Sequence, residues 1–184
     1  MKKTEPMYIH IILTVVILVL VYVLAEVAYF IPKEKLDNEN YWTQESHLRM
    51  NNIRQAEILW KNKFKKFTDN LDSLILFIKT DSTVLAKING YDSLSMKPTN
   101  PFDTLTNGRL DFDSLFYSPK SHKFFILKVD TTVKTDSTFD HRGRFRGIDT
   151  TIIIGSKYYL ASPDGYGTIG DLERDALINT ASWE

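Results

Sequence analysis

The chain has 184 residues, no cysteine, and 23 basic against 23 acidic side chains. Balanced charge removes the electrostatic case for nucleic acid or an anionic surface as a partner. The missing cysteine removes disulfides, thiol nucleophiles, thiolate metal sites and a lipid-modified cysteine together.

Met7–Ala25 carries no charge, and Ile11–Ala25 is almost entirely Ile, Leu, Val and Tyr. A helix of that length crosses a hydrocarbon core of about 30 Å, and Lys2 and Lys3 on the leading side keep that end in the cytoplasm. The expected order is a cytoplasmic tail (1–6), a transmembrane helix (7–31), a connector (32–40) and an extracytoplasmic domain (41–184). This places the chain in a bacterial inner membrane, with the bilayer as partner through Met7–Ile31 and the C-terminal domain in the periplasm. Val23-Leu24-Ala25 before Glu26 has the small-residue character of a signal-peptide cleavage site. The apolar run resumes at Val27–Ile31, with Tyr29 and Phe30 suited to an interface, and favours an uncleaved anchor. Glu26 and His10 read as residues within reach of the two interfaces.

Pro32 is expected to end or kink the membrane helix near Phe30–Ile31. From Tyr41 to Lys65 the pattern is helical, with Ile53, Ala56, Trp60 and Phe64 three and four apart and Leu48, Met50 and Leu59 beside them. His47, Arg49, Arg54, Glu57, Lys61 and Lys65 form the polar face. Thr68 reads as an N-cap, with Asp69 and Asp72 in the first turn of a short second helix. Leu71, Leu74, Ile75 and Ile78 give that helix its core face, and it stops near Lys79–Thr80.

After Asp81, β-branched and aromatic stretches alternate with turn residues: Thr83–Ile88, Arg109–Phe116, Lys123–Thr132, Thr150–Ile154 and Tyr158–Ala161. Val133–Phe139 adds a strand, folded back by a turn around His141–Gly147 toward Thr150–Ile154. Asp followed by Ser or Thr, then Leu or Thr, begins at Asp72, Asp81, Asp92, Asp103, Asp113, Asp130, Asp136 and Asp149. The spacing is irregular, so this is turn and cap chemistry rather than a structural repeat. The fold class is α+β: a single transmembrane helix, then an amphipathic helix and a short second helix packed on a small antiparallel sheet.

The passage from Asn52 to Leu74, with Trp60, Phe64, Phe67, Leu71 and Leu74 as its apolar markers, resembles type IV pilins and type II secretion pseudopilins. In that family a membrane helix runs on into an amphipathic helix and closes through two aromatics and a Leu-x-x-Leu segment. The passage is also similar to uncharacterised membrane-anchored proteins of the Bacteroidetes and Chlorobi lineage. The resemblance implies a pilin-like fold and a role in an envelope assembly, beside other membrane proteins or copies of itself. The tail, Ser162-Pro163-Asp164-Gly165-Tyr166-Gly167 through Ser182-Trp183, is similar to the calcium-holding loop of major pseudopilins. It implies Asp164, Asp171, Glu173 and Asp175 as oxygen ligands for calcium; otherwise the tail is a polar turn with Trp183 docked on the core. The chain departs from the family in having no Gly before residue 90 and in carrying Glu26 at the far end of the helix, so prepilin processing is not expected.

Gly165-Tyr166-Gly167-Thr168-Ile169-Gly170 matches a dinucleotide fingerprint, but only 14 residues follow, too few for the required βαβ unit. His10, His47, His122 and His141 have no ligand spacing, and no nucleophile signature is present. Arg144, Phe145 and Arg146 stand in a basic–aromatic turn suited to a protein contact. The expected function is a non-catalytic, membrane-anchored interaction subunit with no resident cofactor; a periplasmic calcium- or ligand-binding module is the alternative.

Overall fold

The computed structural model describes residues 7–93 and 96–184, so the expected tail 1–6, with Lys2 and Lys3, lies outside it. The chain divides into two units, Met1–Trp42 and Thr43–Glu184.

In the first unit, α1 spans Met7–Ala25 and none of its residues is buried. It belongs to one helix of the length and composition of a membrane span or a signal sequence. Pro32 does not end the helix. The five residues Glu26–Phe30 adopt π-helical geometry, with the Ile31 amide bonded to the Glu26 carbonyl, and α2 then runs from Ile31 to Phe64. Proline at the second position of α2 removes an N–H that α-geometry would aim at residue 28, and the wider turn before it relieves the ring clash. The expected connector 32–40 is therefore helical.

In the second unit, the apolar stripe of α2 forms one wall of the core through the buried Met50, Ile53, Ala56 and Leu59. Helices α3 (Leu71–Thr80) and α4 (Ser82–Ile88) add Leu74, Phe77, Ile78 and Val84. Strands β1 (Tyr91–Asp92) and β2 (Lys97–Pro98) form a small antiparallel pair. The main sheet is antiparallel, in the order β3 (Ile126–Phe139), β4 (Phe145–Ala161), β5 (Thr168–Gly170). Leu127, Tyr158, Leu160 and Ile169 are its contribution to the core.

The class is α+β, as expected, but several elements differ. The cap of α3 is Asn70, whose side chain accepts from the Ser73 amide at 2.9 Å, while Thr68 Oγ1 accepts from the Asn70 amide at 3.1 Å. Thr83–Ile88 is helical, because Asp81 accepts from the Thr83 and Val84 amides and so caps α4. Arg109–Phe116 is a run of turns rather than a strand. This loop region is fastened to α2 by side chains: Asn52 and the Asp103 backbone exchange two hydrogen bonds, at 2.8 and 2.9 Å. Arg49 donates to the Ser114 and Tyr117 carbonyls. The polar side of α2 thus serves as an anchoring surface for irregular chain whose backbone groups need partners.

Glu57 is not on a solvated face. It is fully buried, with one carboxylate oxygen bonded to the Thr68 amide at 3.2 Å and the other without a partner. Burial pushes its pKa up to about 8. Phe64, expected in the core, is 43% exposed, whereas Phe67 is buried against the Tyr158 ring.

Candidate interaction surface

Two expected strands join into one: β4 runs unbroken through 150–154 and 158–161, opposite an equally continuous β3. Their pairing extends from Ile126↔Ala161 to Phe139↔Phe145. Only its inner end is backed by the core. From Thr131↔Ile154 outward the two strands form a two-stranded ribbon, here called the arm, about 30 Å long at the usual rise of a strand.

The root of the arm is an irregularity where Asp130 alone stands opposite residues 155–157. Asp130 fills it as a hydrogen-bond hub. Its carboxylate accepts from the Lys157 amide at 2.6 Å, the Ser156 hydroxyl at 2.6 Å and the Thr132 hydroxyl at 2.8 Å. Burial opposes the charge, but these donors outweigh it and hold the group below the usual aspartate range. Gly155, at φ +75°, bends β4 there, and its carbonyl accepts from the Phe67 amide at 2.8 Å.

Paired residues of an antiparallel ladder share a face. One face of the arm carries the pairs Thr131–Ile154, Val133–Ile152, Thr135–Thr150, Ser137–Ile148 and Phe139–Phe145. None is charged and all ten are exposed, with Ile148 67% and Ile152 61% accessible. The Phe139 and Phe145 rings meet edge to face at 6.1 Å. The other face holds Thr132, Asp136, Thr138, Asp149, Thr151 and Ile153, with Asp136 directly opposite Asp149.

At the tip, Asp140 accepts from the Arg142 and Arg144 amides at 2.8 and 2.9 Å, and Gly143 takes φ +75° to close the loop. Arg144 thus ends the loop, Phe145 opens β4 on the uncharged face, and Arg146 sits at a register shift between the Thr138 and Phe139 pairings. The three residues expected to form a contact are together and exposed. Sequence reasoning missed the strip behind them. Its signal was the parity of Val133, Ile148, Ile152 and Ile154, visible only once the two strands are read as one ladder.

The four carboxylates expected to ligate calcium are not brought together. Asp164 accepts from the Ser118 hydroxyl and, at 3.3 Å, the Ser121 amide. Asp171 accepts from the amides of Arg174 and Glu173 and from the Arg174 guanidinium, which lower its pKa to about 2. Asp175 pairs with Lys157 Nζ at 2.9 Å, and Glu173 contributes its carbonyl to the same ammonium at 2.8 Å. The positive charge held by this tail loop belongs to Lys157 and Arg174, and no group of three Asp, Glu or His side chains converges among the described residues. Trp183 docks on the domain, stacked on His47 at 3.8 Å with the Gly167 backbone against its edge. Two glycines of the G-x-G-x-x-G run serve close packing: a Cβ on Gly167 would lie 2.6 Å from the Trp183 ring, and one on Gly170 would lie 2.3 Å from the Tyr158 carbonyl. An open depression of about 460 Å³ beside the start of α3, lined by Asp69, Asn70, Leu71, Asp72 and Phe124, is a further concavity.

No family model, curated protein or solved structure matches the chain.

Proposed function

We propose that this chain is a non-catalytic, membrane-anchored subunit of a bacterial envelope assembly, with pseudopilin-like architecture, and that the arm is its contact surface. In this reading Met7–Ile31 lies in the inner membrane and the domain from Thr43 onward stands in the periplasm. The observation that carries it is the uncharged, solvent-exposed face of a ribbon that extends beyond its own core. A two-stranded hairpin is marginally stable alone, and contiguous exposed apolar surface marks interaction sites. Arg144, Phe145 and Arg146 add at the tip the residue types enriched in binding hot spots.

The test is gentle detergent extraction from native membranes, with sizing and identification of what co-purifies. The wild-type chain is expected in a reproducible complex. Replacing Arg144, Phe145 and Arg146 by Ala should release it without lowering the melting temperature. A wild-type chain that emerges only as free monomer would rule the reading out.

A further inference from the structure

We infer that the occupant of the uncharged arm face is the same face of a second copy of this chain, stacked sheet on sheet about a two-fold axis. The inference rests on the arm being the contact surface and adds what it contacts.

The chemistry of the face selects its partner. Its ten residues are β-branched, hydroxyl-bearing or aromatic and none is charged. A partner must therefore offer an uncharged, ridged surface of similar length, and an identical ribbon does so by construction. Two such ribbons pack about 10 Å apart with their side chains interleaved. Covering the strip removes on the order of 600 Å² per copy, or about 1,200 Å² for the pair, which reaches the range of specific interfaces. Two copies held in one membrane meet at a raised effective concentration, which aids a contact of this modest size.

Charge fixes the direction. Arg142, Arg144 and Arg146 gather at the tip around the single carboxylate of Asp140, leaving it net positive. A parallel stack would set two such tips side by side. An antiparallel stack separates them by about 30 Å, well beyond the screening length at physiological salt. The two-fold axis then passes near the central pair, Thr135 and Thr150, and lays the Phe139–Phe145 rings of one copy over the Thr131–Ile154 pair of the other, and Ser137–Ile148 over Val133–Ile152.

The chain has no cysteine, so single cysteines report on this geometry without background. In the full chain, in membranes, a short bismaleimide should join Thr150→Cys to itself in high yield. His141→Cys, in the tip loop far from the axis, and Thr151→Cys, on the other face, should give at least tenfold less dimer. Adding Ile152→Glu to Thr150→Cys should abolish the product while leaving the far-ultraviolet circular dichroism of the folded domain unchanged. Ile148→Lys provides the same test at a second position. Absent cross-linking at Thr150→Cys, or equal yield from Thr151→Cys, overturns self-pairing. If a complex with a different protein is still lost on mutation of the arm, the contact-surface reading stands and only the identity of the occupant is wrong. Efficient cross-linking at His141→Cys would instead establish a parallel stack and overturn the antiparallel one.

Discussion

The Phe67 amide donates a 2.8 Å hydrogen bond to the carbonyl of Gly155, fastening the turn after α2 to the root of the arm. The approach is close on both sides. Gly155 sits at φ +75°, and a Cβ there would lie 2.5 Å from the Phe67 carbonyl oxygen. Gly155→Ala therefore meets both left-handed strain and a backbone clash, and should cost about 2 kcal/mol or more. Denaturant unfolding of the wild type and the variant measures it.

Asp130 is the second fastening. Asp130→Ala leaves the Lys157 amide and the Ser156 and Thr132 hydroxyls without their acceptor, at a cost of about 1–3 kcal/mol. Its folded pKa is lowered, so its contribution is complete above the ordinary aspartate range and is lost as pH falls through the folded value. Amide exchange across 131–154 should quicken in the variant, with little change in α2; unchanged exchange would remove Asp130 from the root.

Glu57 has the opposite sign. Its folded pKa is raised to about 8 from 4.5, so the folded state holds the proton while the unfolded chain has released it. The stability it confers is full below the unfolded value and declines as pH rises from there through about 8, by roughly 3–5 kcal/mol in total. Glu57→Gln cannot titrate and should flatten the decline. Parallel pH–stability curves for the two proteins would show that Glu57 does not govern it.

The aromatics of the helix–turn segment should separate by burial. Phe67→Ala is expected to cost about 3–5 kcal/mol, because the ring is 2% exposed and packs on Tyr158. Phe64→Ala removes a ring that is 43% exposed and touches mainly Trp60 and Phe77, and should cost less than half as much. Thermal melts of the two variants decide the order.

Calcium in large excess should leave the melting temperature unchanged, because Lys157 and Arg174 already neutralise Asp175 and Asp171. A ligand specific to the folded state would raise it. A rise with calcium, absent with magnesium, would show that the tail loop rearranges around the ion.

Much of this molecule is determined locally and was legible for that reason. The apolar run of α1, the three-and-four spacing of Met50, Ile53 and Ala56, and the turn between Phe139 and Phe145 follow from side-chain type along a few residues. The repeated Asp-Ser/Thr units are local chemistry where Asp81 caps α4, but Asp130 fills the arm's root through donors on the facing strand. Tertiary structure decided what depends on distant partners. Thr83–Ile88 became a helix because it begins at a capped turn and packs Val84 inward, overriding its β-branched composition. Glu57 was buried because the Thr68 amide, beyond the end of the helix, needed an acceptor. The acidic tail residues found Lys157, Arg174 and Ser118 rather than one another, since each carboxylate is held by the donors that folding brings nearest. The reach of the arm is also a tertiary property: strands end where pairing ends, and β3 and β4 pair well past the core that anchors them.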